Sequence, residues 1–353
     1  MVDMDDVEGM KKVDISGLLP LTVRFPEQIE EAMDIAMHSL AGFSYKPEKI
    51  VICGMGGSAI GGDITAAWAF DKARVPIFVV RDYFLPAFSD ENTLVIAASY
   101  SGNTEETISG FEDALRRKCK VVTISSGGLL EKKAKENGVL HIKIPSGMPP
   151  RGATAYMLVP QLLILEACGI APCGEELKES VEVCKGLREN LRPETPVEKN
   201  QAKIIAKKIL GSIPNVFGMG ISAPIAKRWR TQINENSKMI AREDVFPELN
   251  HNDTVGWSGD PMPERFSVII LRHRGEFERN RMRIEITKEL VLKRSREIIE
   301  VWATGASDLA KMLSLMYIGD FVSIYLAMLR DIDPTPVPVI ENLKKLLAER
   351  REK

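Results

Sequence analysis

The chain carries the same glycine turn twice. Residues 51–60 read VICGMGGSAI and residues 215–225 read NVFGMGISAPI, with G-M-G-x-S-A in common. Each copy follows a short apolar run and opens a helical pattern. The correspondence extends further along the chain. LVIAASYSGNTEE is answered roughly 170 residues later by VIILRHRGEFERN, and KVVTIS by IIEVWATG. Matching turns in a matching order of elements constrain the chain to two related halves, each one structural unit. A length of 353 residues suits that division. The copies differ in one respect: SYSGNTE of the first half becomes RHRGEFE in the second, so only the first keeps a hydroxyl-rich loop.

Within the first half, apolar runs at 49–53, 75–80, 93–99, 120–125 and 141–145 alternate with helical patterns. Continuous apolar strands in a β-α-β-α rhythm predict a parallel sheet covered on both faces. A helix is expected over about 155–168, and NLRPETPVEKN (190–200) reads as a linker. The second half offers strands at 214–220 and 265–271, another inside 297–305, and a long apolar helix over about 307–330. A proline-rich turn and a final helix close the chain. The expected fold is α/β: two tandem doubly wound halves, each a central parallel sheet flanked by helices. The expected divisions are 1–45, an irregular arm ending in a helix at PEQIEEAMDIAMHSL, then 46–190, then 200–353.

Composition excludes several classes of function. The net charge is −2 and lysines and arginines alternate with acids, so no basic nucleic-acid surface is expected. The expectation is also of no membrane partner, since a spanning helix needs roughly 20 apolar residues. The first residues, MVDMDDVEGMKK, are too acidic for a secretory signal. Five cysteines form no C-x-x-C pair, and Cys168, Cys173 and Cys184 lack metal-ligand spacing. They read as reduced, buried thiols of a cytoplasmic protein without a metal site.

SYSGNTEET (99–107) lies between a strand and a helix, where open parallel sheets place ligands. Asn103 and Glu106 have capping-box spacing. A helix N-terminus offers backbone N–H groups and partial positive charge. Ser99, Ser101 and Thr104 surround it with hydroxyls. Gly56, Gly57 and Ser58 can approach the same ligand from the neighbouring strand. Together they suit a terminal phosphate. The same residues are also ordinary turn formers. A second alternative remains: GMGGSA fits the dinucleotide fingerprint G-x-G-x-x-A, with Asp82 ending the next strand.

ICGMGGSAIGGD, SYSGNTEET, PPRGATAY, NENSK, ELNHND with the following GW, and DPTPV run through most of the chain. Together they resemble the sugar isomerase (SIS) domain, and more closely the archaeal-type bifunctional phosphoglucose/phosphomannose isomerases. The resemblance implies an aldose–ketose isomerase of glucose, mannose and fructose 6-phosphates. It also implies no cofactor, no metal and a homodimer. Carried over to this sequence, it makes Glu235 the base. His251, sixteen residues further on, opens the sugar ring from across the dimer interface. Arg151 stabilises the enediolate, and Thr335 leaves room for both C2 epimers. Read without the resemblance, Glu235 lies off the apolar stripe of Ile225, Trp229 and Ile233 and could simply pair with Lys238. His251 could then be a surface imidazole and Arg151 a loop cap. Two rival functions remain: a non-catalytic phosphosugar-binding SIS regulator, and a NAD-dependent enzyme.

Overall fold

The segment expected to be irregular is helical. In the computed structural model, which describes residues 2–351, the chain opens with α1 (Val7–Val13), α2 (Leu18–Val23) and α3 (Phe25–Ser39). Asp6 caps α1 by accepting the Gly9 N–H. The Asp14 carboxylate accepts the N–H groups of Leu18 and Leu19, at 2.9 and 2.7 Å, and so starts α2. Met10, Leu18 and Leu19 are buried. Burying apolar side chains, not helix propensity, explains helices this short.

Five parallel strands follow: β1 (Lys49–Cys53), β2 (Ile77–Val80), β3 (Thr93–Ala98), β4 (Lys120–Ser125) and β5 (Leu140–Lys143). Their spatial order is β2-β1-β3-β4-β5. The crossovers run through α4 (Gly56–Trp68), α5 (Glu105–Arg116) and α6 (Gly128–Glu136). Side chains alternate between faces. Ile50, Ile52, Leu94, Ile96, Val122 and Ile124 join the main core, whereas Val51, Cys53, Val95, Ala97 and Val121 pack with Phe111 of α5 and Leu130 of α6. Both faces are therefore covered. This is why the strands read as apolar runs without alternation.

Next come α7 (Thr154–Ala167), α8 (Gly174–Leu191) and α9 (Gln201–Ile209). The second sheet contains β6 (Ile213–Met219), β7 (Arg242–Phe246), β8 (Phe266–Arg272) and β9 (Glu297–Trp302), in the order β7-β6-β8-β9. Its helices are α10 (Ala223–Ser237), α11 (Asp253–Gly259), α12 (Glu278–Leu290) and α13 (Asp308–Leu329), and α14 (Pro338–Arg351) ends the chain. The order of the first four strands repeats between the halves. The backbone of the repeated turn does too: φ is +52° at Gly56 and +51° at Gly220. Several elements had no counterpart in the sequence reading, and two of them are informative. β7, REDVF, is a charged edge strand, and α8 is long but mostly polar.

The halves share one core. Buried hydrophobic residues from Met4 to Leu329 form one cluster that takes in strands of both sheets and α3, α4, α7, α10 and α13. α13 is long and apolar enough to cross a membrane, with a mean hydropathy of 1.7, but its apolar window is wholly buried in the protein. It runs very close to α10. A Cβ on Gly319 would lie 2.2 Å from Trp229 Nε1, and that indole donates to Leu315 O at 2.9 Å.

Candidate functional site

The order of the first sheet reverses between β1 and β3, and it is beyond the carboxyl ends of strands at such a point that open parallel sheets hold their ligands. The two loops predicted to hold an anion meet there. Ser58 Oγ accepts the Tyr100 N–H at 3.2 Å. Ser99 is fully buried and its hydroxyl organises the loop: it accepts the Gly102 N–H at 3.1 Å and bonds Thr104 Oγ1 at 2.8 Å. Ser101 is exposed, and its Oγ accepts the Asn103 N–H. Gly102, at φ +68°, has no room for a side chain, since a Cβ would sit 1.8 Å from Gly127 O. The capping box does not form. The Asn103 carbonyl oxygen instead accepts the Leu129 N–H at 3.0 Å, and Thr104 precedes α5 without a side-chain cap. Asn103 therefore joins this loop to the next one, and that end of α5 carries no capping side chain. Asp82, the acid of the dinucleotide alternative, accepts the N–H of its neighbour Tyr83.

A second cluster lies one loop away. A Cβ on Gly57 would be 3.3 Å from Pro150 O, which places the glycine turn against the short turn carrying Arg151. Arg151 is only 5% exposed. Its Nε donates to Asn236 Oδ1 at 2.5 Å, and its Nη2 donates to the carbonyls of Pro334 and Thr335, each at 2.7 Å. Nη1 faces Glu235 Oε2 at 3.6 Å. The structure thus brings together Arg151, Glu235 and Thr335, from three separate stretches of sequence. Burial pulls the guanidinium pKa down, and Glu235 acts against that shift. The Glu235–Lys238 ion pair of the alternative reading is absent among the described residues. Lys238 Nζ donates instead to the backbone carbonyls of Glu235 and Pro334, at 2.7 and 2.8 Å. Lys238 is exposed as a residue, yet its ammonium sits against those carbonyls. Burial, with Arg151 alongside, brings it down to about 8. The Thr335 hydroxyl is buried and has no partner among the described residues.

His251 is not joined to this cluster. It lies exposed on the turn after β7, and among the described residues no hydrogen bond or ion pair links its side chain to Arg151, Glu235 or Thr335. The second half's counterpart of the hydroxyl loop is filled from within. Arg272 is 1% exposed, and Glu276 accepts from its Nε and Nη2 at 2.8 Å and from the His273 N–H at 3.0 Å. Among the described residues no group of three or more His, Cys, Asp or Glu could hold a metal ion.

Sequence reasoning missed the residues behind Arg151. Arg228, Gln232 and Asn236 follow one another at i, i+4 spacing on α10 and are buried. That polar stripe runs beside the apolar stripe of Ile225, Trp229 and Ile233. It is visible in the sequence, but looks like a solvated face until α13 covers it.

Residues 44–171 match the SIS domain family, and residues 198–347 match the bacterial phospho-glucose isomerase C-terminal SIS domain. Among curated proteins, the chain is similar to a bifunctional phosphoglucose/phosphomannose isomerase of Caldicellulosiruptor bescii. The two are 43% identical over 93% of this chain and 98% of the relative. Proteins of the same description from Aquifex aeolicus and Thermoplasma acidophilum are 39% and 38% identical, over 84% and 85% of this chain and 90% and 89% of theirs. Among solved structures, a hypothetical protein from Thermus thermophilus aligns with a TM-score of 0.78 at 18% identity, covering 98% of this chain and 94% of that one. A glucose-6-phosphate isomerase like protein from the same organism aligns at 0.63 and 23% identity, covering 98% and 99%. At such identities these structures speak for the fold alone.

Proposed function

We infer a mechanism from one premise: the chain belongs to the family of bifunctional phosphoglucose/phosphomannose isomerases. It is a phosphosugar aldose–ketose isomerase, and its substrates are the 6-phosphates of glucose, mannose and fructose. The regulator and dinucleotide readings have no comparable support.

The phosphate is held where the loops after β1 and β3 meet. Gly56, Gly57 and Ser58 contribute from one side, and Ser101, Thr104 and the start of α5 from the other. Ser99 shapes that loop from beneath. The sugar then extends past Gly57 towards Arg151 and Glu235. Glu235 removes the proton from C2 of the open-chain aldose, and the carbonyl electrons move onto O1 as an enediolate. Glu235 returns the proton to C1 while the hydroxyl proton passes from O2 to O1. Arg151 Nη1, a fixed cation beside Glu235, stabilises the developing oxyanion. Thr335 packs at the same turn, and a side chain this small leaves space for either C2 epimer. His251 opens the sugar ring. Its place on the exposed turn of the second half suits a homodimer in which it serves the partner's site. Five buried, unpaired cysteines suit a reducing compartment such as the cytoplasm.

The observation that carries this reading is the Arg151–Glu235 pair at 3.6 Å, one turn from the anion loops. Two experiments test it. Chelator-treated protein given fructose 6-phosphate should form glucose 6-phosphate and mannose 6-phosphate at comparable rates, and formation of neither would end the proposal. Glu235→Gln should lower turnover by about 10²–10⁴ with KM nearly unchanged. Near-parental turnover in that variant would remove Glu235 as the base.

A further inference from the structure

The Arg151 guanidinium is held from behind by a closed circuit of buried polar groups. Its Nε donates to Asn236 Oδ1 at 2.5 Å. Asn236 Nδ2 donates to Ser323 Oγ at 2.8 Å, and Ser323 Oγ donates to Asp320 O at 2.7 Å. The Asp320 carboxylate accepts from Arg228 Nε and Nη2 at 3.0 and 2.8 Å. Arg228 Nη2 then returns to Arg151, donating to its carbonyl oxygen at 3.0 Å. The five residues come from three places: the turn before α7, helix α10 and the core helix α13. None is more than 7% exposed.

Two features set this circuit apart from ordinary core polarity. First, it touches Arg151 at both ends, by side chain and by backbone. Second, it leaves Nη1 as the one guanidinium nitrogen with no hydrogen bond inside the chain among the described residues; that nitrogen is the one facing Glu235. A buried ion pair such as Arg228–Asp320 is seldom justified by stability, since well-packed apolar residues often do as well or better. The pair therefore invites a reason beyond folding.

We propose that Asp320 is a positioning residue for the isomerisation: its carboxylate holds Arg228 on the Arg151 carbonyl, and beside the brace through Asn236 and Ser323 this fixes where Arg151 Nη1 stands relative to Glu235. This rests on the role given to Arg151 above. The circuit joins a loop of the first half to two helices of the second, so the geometry of the reacting groups depends on how the halves dock. Asp320 touches no substrate in this arrangement.

The test replaces the ion pair by apolar residues, Arg228→Met with Asp320→Leu. The variant should fold with a modestly lower melting temperature: both charges leave together, but Gln232 Nε2, which donates to Asp320 Oδ1 at 3.1 Å, loses its acceptor. Turnover should fall about 10²-fold with KM within about threefold, the loss expected when a reacting group is misplaced by about an ångström. Arg151→Lys made in that background should cost little more, whereas in the parent it should cost the full loss. Such non-additivity is not expected of residues that merely support the fold. Ser323→Ala breaks the circuit more gently, and a several-fold fall in turnover at unchanged melting temperature supports the same conclusion should the double variant not fold. Parental turnover in a folded double variant, or simple additivity with Arg151→Lys, overturns the proposal. Parental turnover in Arg151→Lys alone would remove the premise instead. That failure is recognisable because it appears before the circuit is touched.

Discussion

Glu235, Arg151 and Lys238 illustrate how little a residue's type says about its partner. Lys238 lies three positions from Glu235 on the sequence, the spacing of a surface helix pair. It sits instead at φ +51° past the end of α10, where its ammonium bonds two carbonyls. With its pKa lowered to about 8 by burial and by Arg151, it is charged below that pH and neutral above it. A positive charge beside Arg151 and the Glu235 carbonyl is thus present at pH 7 and is lost as pH rises through 8. The turnover profile should fall on that limb. Lys238→Arg, which keeps its charge, should move the limb upward by more than about one unit; a limb that stays put would belong to another group. At the anion loop, Ser101→Ala with Thr104→Ala removes two hydroxyls. Each hydrogen bond to a charged group contributes about 1.5–3 kcal/mol, so KM should rise at least about tenfold with a smaller change in turnover. An unchanged KM would place the phosphate elsewhere.

At the level of elements, the two halves keep the same turn and strand order but have diverged at one loop. In the first half the loop after β3 is built of hydroxyls and closed by Asn103 bonding Leu129 N–H. In the second, Arg272 ends β8 and the loop after it supplies the counter-ion, Glu276, with Glu285 and Glu300 also on Arg272. The side chain of Glu276 accepts from both a guanidinium and a backbone N–H. Glu276→Gln should therefore lower stability by about 1–3 kcal/mol, read as a lower melting temperature. It should leave turnover and KM unchanged, because this loop lies outside the proposed site. A large change in KM would show that substrate reaches the second half's crevice. The elements the sequence reading missed have physical reasons for being missed. β7 is an edge strand with one apolar neighbour on a single side, so its sequence, REDVF, lacks the apolar run of an inner strand. α1 and α2 are too short to show a period, and become helices because the shared core buries Met10, Leu18 and Leu19.

For the whole molecule, the issue is where the ring-opening group comes from. His251 stands on an exposed turn, and among the described residues no hydrogen bond or ion pair joins its side chain to Glu235. α14 also shows an apolar stripe to solvent, with Val339, Ile340, Leu343, Leu346 and Leu347 exposed. If His251 serves a partner's site, two inactive variants should complement each other. Mixed Glu235→Gln and His251→Ala chains, unfolded and reassembled together, would form heterodimers with one intact site in two. Random pairing then recovers roughly a quarter of parental activity. No recovery in a mixture proven to contain heterodimers would place His251 in its own chain's site.

The sequence alone determined the two-half architecture, because a parallel sheet buried on both faces writes itself as apolar runs and a tight strand-to-helix turn demands glycine. It also singled out the loops proposed to hold the phosphate, since phosphate-sized sites draw on a narrow set of small polar residues, and, through motif resemblance, it named Glu235 and Arg151 as candidates. Only the tertiary structure placed those two residues at 3.6 Å and showed what stands behind them. The circuit through Asn236, Ser323, Asp320 and Arg228 spans up to 183 positions when the Pro334 contact to Arg151 is included. Contacts of that separation leave no local period or spacing to read. They arise when a shared core brings α10, α13 and the turn before α7 to one point, and burial there leaves each polar group no partner but another.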